Sequence, residues 1–494
     1  MASIRLALTA GLALLAAIVA VASLTWPIGG DGPFLLYVGW LFSHLGLVPY
    51  RDIFLVNVPG ALYPYAWIGQ VFGFSEWGGR AGDLALLAML ALVNLAALRR
   101  FGWLPGVLAA ALFVLVYLEF YAVERELLVA LLLTAACAAV AGERPSLTAI
   151  AAAGLAIGAA ACVRPPAALV GPAFLWYLAD GEGRTRRWAV LVGAAALPAL
   201  ATLAWLWAVG ALGPFFTVVT DYWPRYLLID RTYHQRSVVD RLWSLATTTL
   251  ASDRHRFWIV LVVAATVVLA AGWRRLDGPR GRYVRLLLLV AVALAIYPLV
   301  SGRLLGYRTL PLRLVVLQLV ALATCGGSLF RASLREAAGV ALLLVVVGVG
   351  IRLPEDWLAG WEGTRIETRG FLGRDIAADL CPLLRPGGRV QPLDWAEGTQ
   401  HAMLICRARP ATRFIFDYML YQDTASDFTR DLRREFLAEL TAAAPRLVVA
   451  LTPAARLLVE DERSDWDFSA FDTYLATHYT VAVSRGAYTI YERR

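Results

Sequence analysis

The chain has 494 residues, 59% of them hydrophobic, and a formal net charge of +8 carried by arginine, since it contains no lysine. Soluble domains are usually about 45–50% apolar, so this composition excludes an ordinary soluble protein and points to a polytopic membrane protein. The arginines are spread over many loops rather than gathered in one patch, which argues against nucleic acid as a partner. Cysteine and histidine show no metal-ligand spacing and no HExxH motif.

The first apolar run is Ile4–Thr25. Arg5 and the Ala20-Val21-Ala22 triplet would also suit a signal peptide, but the run is long for one and many further spans follow. The next stretch, Gly30–Gly60, carries Asp31, Arg51 and Asp52 around a segment, Pro33–Leu47, expected to be amphipathic and to lie along the membrane surface. Ala61–Phe74 is short, aromatic and apolar, expected as a second interfacial helix or a continuation of the loop. Further apolar runs follow at 79–98, 104–118, 126–141, 146–162, 165–179, 188–209, 257–272, 284–300, 309–329 and 336–352. With the first run they give about eleven transmembrane helices.

Charge placement orients these spans. Arg99-Arg100, Glu143-Arg144, Asp180–Arg187, Trp273–Arg285 and Arg331–Arg335 all fall on one side if the N-terminus is cytoplasmic, as the positive-inside rule expects. The outer side then receives the loop at 26–78, Glu119–Glu126, Arg164, the long loop at 210–256, Ser301–Arg308 and the C-terminal segment. Residues 1–352 read as a transmembrane domain that includes both outer loops, and 353–494 as an extracytoplasmic α/β domain. Within the latter, Asp427–Ala444 has a helical apolar stripe, and Leu447–Leu451 reads as a buried strand. Tyr479–Val483 and Tyr488–Tyr491 flank a hairpin turn at Ser484-Arg485-Gly486. Cys381 and Cys406 are open to either a disulfide or two buried thiols.

The candidate functional residues lie on the outer side. Asp31 before Gly32-Pro33 suits a general base, and equally an N-cap. Tyr50-Arg51-Asp52 suits a site residue pair, and equally a solvated turn. Glu124-Arg125-Glu126 places acids where a helix dipole favours them, but its arginine opposes that dipole. Arg125, Arg164, Arg303 and Arg308 stand on the side where arginine is disfavoured. Such a set points to an anion held near the outer face, for guanidinium matches phosphate oxygens. Snorkelling explains any one of them taken singly. Asp465-Trp466-Asp467 spells a DxD, but nucleotide sugars would be on the other side of the membrane. In the long loop, Trp223 suits an interfacial belt and His234 stays open.

These residues resemble the bacterial GT-C glycosyltransferases of the dolichyl-phosphate-mannose-mannosyltransferase-like group (glycosyltransferase family 39-like). The resemblance is carried by Asp31-Gly32-Pro33, Tyr37, Gly46, Pro49-Tyr50-Arg51-Asp52 and Pro59, then Glu124-Arg125-Glu126, then Gly302-Arg303, Gly306-Tyr307-Arg308 and Pro311. Asn57-Val58-Pro59 departs from the Lys-Pro-Pro of the lipid A aminoarabinose transferase branch, so that substrate is not carried over. The resemblance implies an inverting transfer of a sugar from a polyprenyl-phosphate donor to a lipid or glycan acceptor at the outer face of the bacterial inner membrane. It implies Asp31 and Asp52 as catalytic residues, with Asp31 the base. Arg51, Arg125, Arg164, Arg303, Tyr307 and Arg308 would hold the donor phosphate, supported by Glu124 and Glu126. No cofactor is required, and a divalent metal is compatible but not demanded. The alternatives are a transporter or flippase of lipid-linked sugars, which should show broken helices and repeats, and a polymer ligase using an undecaprenyl-pyrophosphate glycan.

Overall fold

The computed structural model describes residues 2–29, 31–120, 123–180, 182–228, 278–300, 306–325, 368–394, 398–452 and 467–494, together with 237 and 239. The described residues are mostly helical, with one small sheet. Among the described residues, four helices are long and apolar enough to cross a membrane: Leu6–Thr25, Glu76–Phe101, Arg184–Ala208 and Tyr307–Cys325. The expected spans at 257–272 and 336–352, Arg303 and His234 all lie outside the described residues, as does most of the Asp465-Trp466-Asp467 motif.

The helices are α1 (Ala2–Ala22), α2 (Gly32–Leu45), α3 (Tyr63–Phe72), α4 (Glu76–Leu98), α5 (Leu104–Phe120), α6 (Arg125–Ala139), α7 (Leu147–Val163), α8 (Gly171–Tyr177), α9 (Arg184–Ala208), α10 (Leu212–Thr217) and α11 (Trp223–Leu228). They continue as α12 (Gly278–Val300), α13 (Leu310–Cys325), α14 (Thr368–Leu383), α15 (Gly398–Cys406), α16 (Asp427–Ala443) and α17 (Ser469–His478). The run at 165–179, expected as one span, is instead a 3-10 turn over Pro165–Val170 followed by the seven-residue α8. Pro165, Pro166 and Pro172 supply no backbone N–H, which disfavours a continuous α-helix there.

The chain divides into two compact units. The first comprises Met1–Trp26, Asp83–Thr202 and Arg236–Thr364. Within it, α13 is buried along nearly its whole length and packed against α5, α6 and α12. One polar link is sealed inside it: Gln318 donates to Asn94 at 2.8 Å, and Asn94 donates to the Gly106 carbonyl at 2.7 Å. Buried amides stay only where such partners are found.

The second unit comprises Pro27–Gly82, Leu203–Gln235 and Arg365–Arg494. Its sheet has the order β2-β1-β3-β5-β4, from β1 (Arg389–Leu393), β2 (Arg409–Pro410), β3 (Leu447–Leu451), β4 (Tyr479–Ser484) and β5 (Tyr488–Arg493). β1 runs parallel to β2 and β3, while β5 is antiparallel to β3 and β4. The expected strand at Leu447–Leu451 and the β4–β5 hairpin are both present. The amphipathic stripe becomes α16, which buries Leu432, Phe436 and Leu440.

The Gly32–Leu41 part of α2 is buried all round, which corrects the expectation of an amphipathic helix lying on a surface. It is covered by α3 and by α15 of the C-terminal segment. Gly39 makes this possible, because a Cβ there would come within 2.8 Å of the Ala66 backbone. The Tyr37 hydroxyl donates to the Ala408 carbonyl at 3.0 Å, and the Phe54 N–H to the Arg413 carbonyl at 2.8 Å. The stretch after α1 and the C-terminal segment are thus folded together, sharing hydrogen bonds and the Phe34–Phe416 and Phe54–Phe414 ring contacts.

Candidate functional site

In the second unit, Asp31 occupies the N-cap position of α2 and is half-buried. Its backbone carbonyl accepts the Leu35 N–H at 3.0 Å, yet its side chain makes no capping hydrogen bond. Pro33 in the first turn fixes the helix start, since its missing N–H is one the helix cannot satisfy anyway. The carboxylate at the head of α2 is therefore not spent on the cap.

Asp52 is used differently. Residues 48–53 form a tight turn in which Tyr50 has φ 69°, a left-handed conformation unusual for a non-glycine residue. Asp52 accepts the Val48 N–H at 2.8 Å across this turn. Arg51 grips the same carboxylate, with Nε 3.0 Å from Oδ1 and Nη2 2.8 Å from Oδ2, while its Nη1 donates to the Val209 carbonyl at 2.9 Å. The Arg51 guanidinium holds the Asp52 carboxyl below the usual carboxylate range, assisted by the Val48 N–H. Both oxygens are engaged, and a depressed pKa makes a weaker base. Arg51 and Asp52 are given first to each other.

The first unit gathers the remaining candidates. Glu124 is the N-cap of α6, and Arg125 and Glu126 form its first turn; all three are buried. Arg164 caps the C-terminal end of α7, where the following Pro165 stops the helix. Its Nη2 lies 2.6 Å from Oε1 of the fully buried Glu126. The Arg164 and Arg308 guanidiniums stand 5.8 and 6.0 Å from the Tyr307 ring centroid. Arg125 interacts electrostatically with Arg164, Glu126, Tyr307 and Arg308, and Arg164 also with Glu124. The sequence-derived set Glu124, Arg125, Glu126, Arg164, Tyr307 and Arg308 is brought into one cluster. Asp31, Arg51 and Asp52 belong to the other unit.

Three members of the neighbourhood escaped sequence reasoning. Tyr297, near the end of α12, interacts with Glu126, Arg164, Arg308 and Arg125. Asp83 and Tyr117 hydrogen bond to each other at 2.7 Å, and Tyr117 accepts the Glu124 N–H at 3.2 Å. An acid inside the apolar run at 79–98 was the available signal for Asp83; a tyrosine in an apolar run gives none. Among the described residues, no group of three or more His, Cys, Asp or Glu side chains is placed to share a metal ion.

No family model matches the sequence, and no curated protein matches it. The structure is similar to that of ArnT from Cupriavidus metallidurans in the apo state, with a TM-score of 0.57 at 16% identity, over 99% of this chain and 98% of that one. It is similar to ArnT from the same organism bound to undecaprenyl phosphate, with a TM-score of 0.56 at 16% identity and the same coverage. At this identity the likeness speaks to architecture, and it extends over the whole length of both chains. The chain therefore has an ArnT-like fold.

Proposed function

We propose that this chain is an inverting membrane glycosyltransferase that moves a sugar from a polyprenyl-phosphate donor to an acceptor hydroxyl. The observation that carries this reading is the buried cluster of the first unit. Three guanidiniums, those of Arg125, Arg164 and Arg308, stand there with two carboxylates, those of Glu124 and Glu126. Three guanidiniums held close together in apolar surroundings repel one another and favour an anion among them. Guanidinium is the side chain best matched to phosphate oxygens. The likeness to ArnT bound to undecaprenyl phosphate supports a lipid phosphate as that anion.

In the reaction, the acceptor oxygen attacks the anomeric carbon and the bond from that carbon to the phosphate oxygen breaks. On the sequence resemblance, Asp31 takes the acceptor proton. The electron pair leaves on the lipid phosphate, where the negative charge that develops is stabilised by Arg125, Arg164, Arg308 and, on the sequence argument, Arg303. Tyr307 lies under two of these guanidiniums and holds them in place. Arg51 and Asp52 brace the turn after α2. The phosphate ester is already activated, and the side chains named supply the acid–base and electrostatic steps.

The proposed sidedness follows the arginine distribution: about eleven spans, a cytoplasmic N-terminus, and the 353–494 segment outside the bacterial inner membrane. The test is to incubate purified protein with a polyprenyl-phosphate sugar and a panel of lipid and glycan acceptors, and to follow free lipid phosphate. Its release with one acceptor class is expected. If none appears with any acceptor, while vesicles holding the protein carry the lipid-linked sugar across their bilayer, the transporter reading replaces this one.

A further inference from the structure

Asp83 lies in α4, inside an apolar helix, and is 1% exposed. A carboxylate so placed is costly unless it has a task. Its Oδ1 accepts the phenolic proton of Tyr117 at 2.7 Å. The same phenolic oxygen then accepts the Glu124 N–H at 3.2 Å. The preceding residue, Val123, has φ 59°, and a β-branched side chain in the left-handed region is strained. The chain thus enters α6 through an unfavourable turn, at the point where the arginine–carboxylate cluster begins.

We infer that Asp83 and Tyr117 are positioning residues for the lipid-phosphate site. The inference rests on the reading of that cluster given above. A phenol has one proton and two lone pairs, and its proton turns freely unless something accepts it. By taking the proton, Asp83 leaves a lone pair of Tyr117 facing the Glu124 N–H. Without Asp83, the O–H can rotate toward that N–H, setting two donors against each other. The Glu124 amide is a point where the strained turn is tied to α5, so the chain Asp83–Tyr117–Glu124 sets where Arg125 and Glu126 stand. Neither Asp83 nor Tyr117 touches the donor in this scheme.

The test combines amide hydrogen exchange with transfer kinetics on the full chain in detergent, for Tyr117→Phe, Asp83→Ala and Asp83→Asn. Tyr117→Phe keeps the ring and removes only the hydroxyl; Asp83→Asn keeps an oxygen that can accept the phenolic proton. Exchange in peptides covering 123–127 is expected to quicken about tenfold in Tyr117→Phe and Asp83→Ala, and to stay within about twofold of the parent in Asp83→Asn. With a polyprenyl-phosphate sugar as donor, kcat is expected to fall about tenfold in the first two with KM little changed, and to recover in Asp83→Asn. Unchanged exchange in both Tyr117→Phe and Asp83→Ala overturns the inference. So does an Asp83→Asn variant as impaired as Asp83→Ala, because charge rather than orientation would then be at work. A parent protein that turns over no lipid-linked sugar overturns the glycosyltransferase reading instead, and the exchange result still decides whether this chain holds the start of α6.

Discussion

The Arg164 guanidinium reaches the Glu126 carboxylate at 2.6 Å, with the Glu126 side chain fully buried. This contact links the start of α6 to the finish of α7, two helices packed against each other. Removing one partner of a buried pair strands the other charge, which costs about 3–5 kcal/mol. Arg164→Met is therefore expected to lower the unfolding temperature sharply, and Arg164→Met combined with Glu126→Gln to recover most of the loss. Thermal unfolding of the two single variants and the double variant measures the coupling. Simple additivity would show that the pair is not a unit.

Gly154 and Gly158 sit four residues apart on α7, facing α9. A Cβ on Gly158 would overlap the Ala195 carbonyl, and one on Gly154 the Leu191 carbonyl. Small residues at this spacing let helix backbones approach closely in apolar surroundings. Gly158→Val is expected to destabilise by about 1–3 kcal/mol through this overlap. Gly193, on α9, has open space around it, so Gly193→Ala is expected to be neutral or to stabilise by up to about 1 kcal/mol. Equal melting curves for the two variants would contradict the close approach.

Cys381 on α14 and Cys406 on α15 are joined as a disulfide across 25 residues. The sequence left a bridge and two buried thiols equally open. Cys137, Cys162 and Cys325 remain thiols. Alkylation of denatured, unreduced protein should label these three, with Cys381 and Cys406 joining only after reduction. Replacing both bridged cysteines by serine is expected to cost about 3 kcal/mol, on the loop-length argument. Full labelling before reduction would show that the bridge does not form.

The Arg51–Asp52 pair gives a pH signature. Arg51 lowers the Asp52 pKa in the folded chain, so the unfolded chain takes up its proton first as pH falls. The stability from this pair is complete above the ordinary carboxylate range of about 4, and is lost as pH falls through the lower folded value. Arg51→Met should be less stable than the parent at pH 7, with the gap closing in acid. Asp379, lowered by Arg485 and then by the Tyr488 hydroxyl, behaves in the same sense. Chemical denaturation of parent and Arg51→Met from pH 7 to pH 3 measures this; a gap that does not change with pH would rule the pairing out as its source.

Much of the candidate site was legible in the sequence because arginine among short apolar loops is conspicuous. Glu124, Arg125, Glu126, Arg164 and Arg308 are marked by charge where charge is costly, and Tyr307 by its place beside Arg308. The hairpin and the α16 stripe were legible from their periods of two and 3.6. The burial of α2 was not, because its cover comes from α15, more than three hundred residues later in the chain, and no local pattern reports that. Asp52 read equally as a turn or as a site residue, and only its hydrogen bonds to Arg51 and Val48 reveal how it is engaged. Tyr117 carries no signal in an apolar run, since its role depends on the partners that its hydroxyl meets in three dimensions.

The proposed chemistry assigns the acceptor proton to Asp31, at the N-cap position of α2. The direct measurement is release of free lipid phosphate from a polyprenyl-phosphate sugar by the parent and by Asp31→Asn, with polyprenyl-phosphate binding recorded for both. Asp31→Asn is expected to bind the lipid phosphate within a few-fold of the parent and to turn over about 10²–10⁴ times more slowly, as for a lost general base. An Asp31→Asn protein that releases lipid phosphate at the parent's rate would contradict the account.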